Sequence, residues 1–311
     1  KQLLNEFCNL SNLPVWILED LKKNLTSIEI NEVSRVIVKE PELNLKIKKS
    51  HVKLKDWESI MNGKFIESDI LLTNNSGKIN DFPFFDNGFW WVQGFSSCLP
   101  VKCLDNLFPT SKRKEINVLD VCAAPGGKTA QLADYGFRSL SVDISEHRIK
   151  QLKANLDRLN YKPEIICTDF LNYDSDQKFD AILLDAPCSA SGLIQKKPEI
   201  LIANKQIDLK KLVIEQRRLL EHSKNFIKKG GYMIYCVCSI NNSEGYEQIK
   251  TFLKNNKNFS SVDHSDNIKK YGKIIFKNML QIYPRRFKFS DNINGYLDGF
   301  FISILKKERN N

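Results

Sequence analysis

After about residue 115 the chain alternates short, nearly continuous apolar runs with amphipathic segments, and few architectures accept that pattern. INVLDV, SLSVD, EIICT, DAILLD and GYMIYCV are β-branched and of strand length. Between them, SEHRIKQLKANLDRLN puts Ile149, Leu152, Leu156 and Leu159 on one helical face, with Ser145 as N-cap and Glu146 in the first turn. Strands apolar on both faces and separated by helices form a parallel sheet covered on both sides. The tail, KIIFKNMLQIYPRR followed by GFFISILKK, supplies two strands with no helix between and reads as a terminal hairpin.

The first third reads differently. SNLPVWILEDLKK predicts a helix capped by Ser11, with Pro14 in its first turn and Trp16, Ile17 and Leu21 on one face. LNLKIKKSHVKL alternates apolar and basic residues as a half-exposed strand does, which would turn Lys46, Lys48, Lys49 and Lys53 toward solvent or phosphate. The turn formers of TNNSGKINDFPFFDNGF mark a junction. A small N-terminal α+β domain is expected over 1–85 and the α/β domain over 86–311.

With 42% hydrophobic and 10% aromatic residues the chain can bury a large core, which excludes global disorder. Its net charge of +10 is uneven: +2 over residues 1–114 and +8 over the remainder. A basic C-terminal two-thirds suits a polyanionic partner, most simply a nucleic acid, although a solubilising lysine surface explains it as well. No apolar run approaches the length of a membrane span and no secretory leader is evident. The eight cysteines (Cys8, Cys98, Cys103, Cys122, Cys167, Cys188, Cys236 and Cys238) form no CxxC, and with four histidines a zinc framework is not expected. They read as reduced thiols of a cytoplasmic protein, either core residues or reactive groups.

Strand INVLDV runs into CAAPGGKTAQLADYG, where Gly126 and Gly127 would let the backbone turn tightly and approach a ligand. The spacing is neither GxGxxG nor a Walker loop. Asp143, Asp169 and Asp185 close the next three strands. Ligands of open α/β sheets bind at the carboxyl ends of strands, so three acids in register with a Gly-Gly loop point to a nucleoside cofactor, with Asp143 placed for ribose hydroxyls. DAPCSASGLI and YCVCSI put Cys188 and Cys238 just beyond adjacent strand ends, facing that crevice. Cys122, Cys167 and Cys236 read instead as buried core thiols. Two crevice thiols beside Asp185 suit methylation of a pyrimidine carbon. A thiolate adds at carbon 6, a carboxyl group hydrogen-bonds ring nitrogen 3, and carbon 5 then attacks a sulfonium methyl.

These blocks carry a family likeness. DVCAAPGGKTAQL, LLDAPCSASGLIQKKPEI, YCVCSINNSEG and YLDGFFISILKK, in this order, resemble the bacterial RNA (cytosine-5) methyltransferases of the Sun/RsmB type within the Nol/Nop/Sun family. The likeness covers roughly residues 85–305, and 9–60 more weakly. It implies a Rossmann-like class I methyltransferase fold, with a mostly parallel seven-stranded sheet and a terminal antiparallel hairpin. It implies an S-adenosyl-L-methionine site formed by Cys122, Ala123, Ala124, Pro125, Gly126, Gly127, Lys128, Asp143, Arg148, Asp169 and Asp185. It makes Cys238 the nucleophile and Cys188 an aid to product release, with Lys128 organising Asp185. The substrate it implies is a cytosine of small-subunit rRNA, with tRNA or DNA substrates, or a non-catalytic ribosome-assembly role, as the alternatives. Lys196, Lys197, Arg285 and Arg286 are the expected phosphate contacts; Lys205, Lys210, Lys211, Arg217 and Arg218 read largely as a solvated helix face. A monomer without metal is expected. The chain departs from the family pattern at Val237 for Thr, Gly245 for Asn, Gly94 for Asp, and Lys46 and Lys48 for Arg and Asn. The bacterial rRNA enzymes also carry an upstream NusB-like helical RNA-binding domain, and no segment here reads as one.

Overall fold

The computed structural model describes residues 13–53, 55–201 and 208–309. Two helices come first, α1 (Val15–Leu21) and α2 (Ser27–Val36). Pro14 is the N-cap of α1 rather than a residue of its first turn, because its ψ of 145° is extended; Ser11 lies outside the described residues. Thr26 and Glu29 close a capping box on α2.

A four-stranded antiparallel sheet follows. Its strands β1 (Leu43–Ile47), β2 (Gly63–Glu67), β3 (Ile70–Thr73) and β4 (Trp90–Val92) lie in the order β2-β3-β1-β4. The boundary read at residue 85 falls in the loop before the last of these strands. Leu45, Ile47, Trp57, Leu71 and Trp90 pack on one face of the sheet. The other face of β1 is covered too, which corrects the half-exposed reading. Lys46 is wholly buried in an ion pair with Asp69, its Nζ 3.3 Å from the Tyr135 hydroxyl. Lys48 is buried and donates to the Leu159 carbonyl. Lys49 and Lys53 remain exposed. A lysine read as facing phosphate here ties the first sheet to the second body of the fold.

Helix α3 (Phe95–Leu107) leads into that body. Strands β5 (Asn117–Val121), β6 (Arg138–Asp143), β7 (Glu164–Cys167), β8 (Phe179–Asp185) and β9 (Ile227–Val237) run parallel, in the order β9-β8-β5-β6-β7. The helices between them are α4 (Gly127–Asp134), α5 (Glu146–Arg158) and α6 (Leu209–Ser223), and α7 (Tyr246–Asn255) follows β9. Val118, Ala181 and Leu183 belong to one core; Leu119, Ile182 and Leu184 belong to the other. Alternate residues of each strand thus feed opposite faces, as the continuous apolar runs require.

The sheet is larger than the expected seven strands. It holds nine, because β10 (Phe259–Val262), β11 (Lys273–Phe276), β12 (Met279–Ile282) and β15 (Phe300–Lys307) extend it with antiparallel pairings. Lys277 and Asn278 both take positive φ, 33° and 69°, and this two-residue turn makes a hairpin of what reads as one strand. A separate hairpin, β13 (Arg285–Ser290) and β14 (Ile293–Leu297), precedes β15. Among the described residues, no helix is long and apolar enough to cross a membrane.

Candidate active site

The parallel order reverses between β6 and β8 on either side of β5, and a crevice opens beyond these carboxyl ends. The chain leaves β5 through Cys122 at φ 61°. Gly126 caps α4 at φ 100°, and a Cβ there would stand 3.0 Å from Leu152 Cγ, so glycine is required. A Cβ at Gly127 would meet Gln93 only at 3.7 Å, an ordinary contact. Of the two glycines read as turn residues, the backbone demands one.

Asp143 ends β6 almost fully buried. Its Oδ2 accepts the Ala124 N–H at 3.0 Å and its Oδ1 the Ser145 N–H at 3.0 Å. Arg148 reaches back from α5, 3.5 Å from that carboxylate, and donates to the Ala124 carbonyl. The loop, the acid and the helix start are therefore locked together. Asp169 caps a short turn through the Leu171 N–H at 2.9 Å. Asp185 ends β8, and Lys128 of α4 donates to its Oδ2 at 2.7 Å. Burial pulls the Lys128 pKa down, but the Asp185 charge, a Cys236 contribution and the hydrogen bond to Asp185 carry it above the usual lysine value. Lys128 stays protonated.

Asp143, Asp169, Asp185, Cys188 and Cys238 line one cavity of about 510 Å³. A second, of about 600 Å³, lies across the Pro125–Asp185 ridge, with Asn44, Trp91, Lys128 and Arg158 in its walls. Of the expected cofactor residues, Cys122, Pro125, Asp143, Arg148, Asp169 and Asp185 line the first cavity and fit S-adenosyl-L-methionine there, whereas Ala123, Ala124, Gly126, Gly127 and Lys128 line only the second, because the loop turns that side of its backbone to the larger cavity. Asp143 offers a fixed, buried carboxylate to ribose hydroxyls. Asp169, Asp185 and both thiols line the same cavity.

The Sγ atoms of Cys188 and Cys238 are 3.3 Å apart. The hydrogen bond to Cys238, and then burial, push the Cys188 thiol well above its usual range. Cys236, read as core, is buried, yet its Sγ also lies 3.5 Å from Asp185 Oδ1. Cys122 is half-buried and lines the cavity, with burial raising its pKa. Cys167 corrects its reading outright: it is exposed, because β7 is the edge strand.

The basic candidates separate. Lys196 borders the larger cavity and pairs with Asp298 at 2.6 Å, while Lys197, its neighbour, borders the smaller one. They straddle the ridge. Arg286 is exposed on β13. Arg285 points the other way, half-buried, donating to the Lys270 carbonyl at 3.3 Å and facing Glu29 and Glu32. Neither arginine lines either cavity. Lys205 lies outside the described residues.

Sequence reasoning gave no role to Asp298 or to Glu244, a carboxylate buried directly behind the thiols. For Asp298 the signal was an acid in an apolar setting, YLDGFF; Glu244, in the polar run NNSEG, carries no such signal.

The sequence profile of the 16S rRNA methyltransferase RsmB/F family matches residues 108–306. The ribosomal RNA small subunit methyltransferase B of Photorhabdus laumondii is 40% identical over 177 residues, which are 55% of this chain and 40% of that protein. Its namesake in Citrobacter koseri is 31% identical over 254 residues, 78% of this chain and 58% of that protein. The match thus spans about two fifths to three fifths of these relatives' length. The crystal structure of NSun6 from Pyrococcus horikoshii with SFG shares the fold, with a TM-score of 0.78 at 18% identity over 97% of this chain and 100% of that one. With the profile matched over most of the chain and the Citrobacter protein aligned across 78% of it, the chain belongs to the RsmB/F family of 16S rRNA methyltransferases.

Proposed function

We propose that this protein methylates carbon 5 of a cytosine in small-subunit rRNA through a covalent cysteine adduct. The observation that carries the reading is the contact of two thiols, 3.3 Å apart, in the same cavity as Asp185. A structural cysteine pair has no need of a crevice, a carboxylate and a lysine.

S-adenosyl-L-methionine, which Cys122, Pro125, Asp143, Arg148 and Asp169 would hold in the smaller cavity, supplies an electrophilic methyl group when bound. Cys238 adds through its sulfur to carbon 6 of the flipped cytosine and makes carbon 5 nucleophilic. Asp185, fixed by Lys128, hydrogen-bonds ring nitrogen 3, which takes up the proton that the Cys238 thiol gives up as the adduct forms. After methylation a base removes the carbon 5 proton, the carbon–sulfur bond breaks, and ring nitrogen 3 releases its proton as the ring double bond re-forms. Cys188, which the Cys238 contact and burial keep protonated, is in reach to return a proton to the departing sulfur. A base must leave its stack to reach such a site, so the substrate is an RNA loop or an unpaired segment. Lys197 and Arg286 are the proposed phosphate contacts. The N-terminal sheet, anchored by Lys46 and Lys48, positions the RNA along the larger cavity.

Bisulfite sequencing of rRNA and tRNA from cells with and without the gene tests the reading. Loss of one methylated cytosine in small-subunit rRNA is expected. Loss confined to tRNA would move the substrate, and no change in either pool would refute the proposal.

A further inference from the structure

Behind the two thiols lies a carboxylate that the proposed chemistry does not use. Glu244 is wholly buried and, among the described residues, has no cationic partner. Its Oε1 accepts the Ser189 N–H at 2.8 Å and Gln216 Nε2 at 3.1 Å. Its Oε2 accepts the hydroxyls of Ser189 and Ser239, each at 2.6 Å. Ser189 follows Cys188 and Ser239 follows Cys238. A single side chain therefore grips the residue after each cysteine.

The grip is braced. Gln216 also donates to the carbonyl of Pro187, on the near side of Cys188, at 2.8 Å, and Gln248 donates to Gln216 at 3.3 Å. Both thiols sit on irregular backbone past a strand end, where the sheet's own hydrogen bonds no longer fix spacing. A buried ion without a counter-charge is costly unless every lone pair has a donor, and here four donors meet two oxygens. A leucine would fill the space without that cost. The burial is explained if the carboxylate is kept for the geometry it imposes.

We infer that Glu244 is a positioning residue that sets the separation of the Cys188 and Cys238 sulfurs by bonding the loop of each. The inference rests on the reading of these cysteines as a working pair. Its charge also adds to the forces holding the Cys188 thiol protonated.

Phenylarsine oxide tests the spacing on the full chain without reference to activity. Its arsenic closes on two neighbouring thiols, forming two As–S bonds and releasing its oxygen with both thiol protons as water. The wild type should bind one equivalent at Cys188 and Cys238, located by peptide mass, and Cys188→Ala should bind none there. Glu244→Ala should lose at least about tenfold in this capture and in kcat, with KM for RNA and S-adenosyl-L-methionine within about threefold, since only the charge-assisted bonds to the two loops are removed. Glu244→Gln keeps the shape and one carbonyl acceptor, and should recover most of both.

Capture and turnover by Glu244→Ala within about twofold of wild type would overturn the inference. Should Glu244→Ala show no melting transition, Ser239→Ala replaces it. That variant removes one 2.6 Å bond and leaves Glu244 three donors, and unchanged capture and kcat would be equally fatal. Failure of the underlying reading looks different: Cys238→Ala would still methylate, while the arsenic results with the Glu244 variants would stand.

Discussion

Asp120 lies on β5 beneath the cofactor loop, wholly out of solvent. Its Oδ2 accepts the Thr129 hydroxyl at 2.7 Å, while its Oδ1 meets no donor among the described residues. Burial raises its pKa to about 7; the Thr129 bond draws it part of the way back, and the Asp185 charge adds to the rise. In the unfolded chain the same carboxyl titrates near 3.9, on the order of three decades lower. Between about pH 4 and 7 the native state therefore keeps a proton that the unfolded state has released, so stability falls as pH rises through that window.

The ceiling is roughly 4 kcal/mol at high pH, and the part lost between pH 5 and pH 8 is roughly 2–3 kcal/mol. Asp120→Asn removes the titration and keeps an acceptor for Thr129. Its amide N–H groups face the side where Oδ1 stands alone, at a pH-independent cost of about 1–3 kcal/mol. Urea unfolding of both proteins at intervals from about pH 5 to 8 checks this. His264, which burial draws down to about 4, acts in the opposite sense as pH falls, but equally in both proteins. Relative to wild type, the variant should gain stability steadily with pH. A difference that stays constant across the range would refute the assignment of a protonated Asp120.

Lys128→Met leaves Asp185 without the ammonium 2.7 Å away, and should lower kcat by about 10²-fold while calorimetry finds cofactor affinity little changed. Gly192→Ala would force a Cβ to 2.0 Å from the Gly299 carbonyl oxygen, which is backbone and cannot swing aside; a loss of about 3 kcal/mol or more in chemical unfolding is expected. A Cβ at Gly94 would stand 2.9 Å from Asp298 Oδ2 and 3.1 Å from Lys196 Nζ. Gly94→Ala should loosen that ion pair and raise the KM for RNA about 2–5-fold, with kcat unchanged in steady-state assays.

The α/β body was legible because its signals are local. A β-branched run followed by Asp143 or Asp185 is a buried strand reaching its carboxyl end, and two cysteines past adjacent ends must share the crevice. Ser145 caps its helix as its neighbours foretell. What was missed depends on partners distant in sequence. The alternation around Lys46 looks half-exposed until Asp69 and Tyr135 close over it. Exposure of Cys167 follows from its strand's place at the sheet edge, which no neighbouring residue encodes. The tail's extra hairpin turns on Lys277 and Asn278, a pair too weak in glycine to announce a type I′ turn. Glu244 is one acid among many until donors from two cysteine loops and a helix meet on it.

Mapping a trapped protein–RNA adduct tests the nucleophile most directly. RNA carrying 5-fluorocytosine offers no carbon 5 proton to a base, so addition is not followed by elimination. With S-adenosyl-L-methionine present, wild type and Cys188→Ala should each yield a stable adduct whose modified peptide contains Cys238, and Cys238→Ala should yield none. An adduct on Cys188, or one formed by Cys238→Ala, would contradict the account.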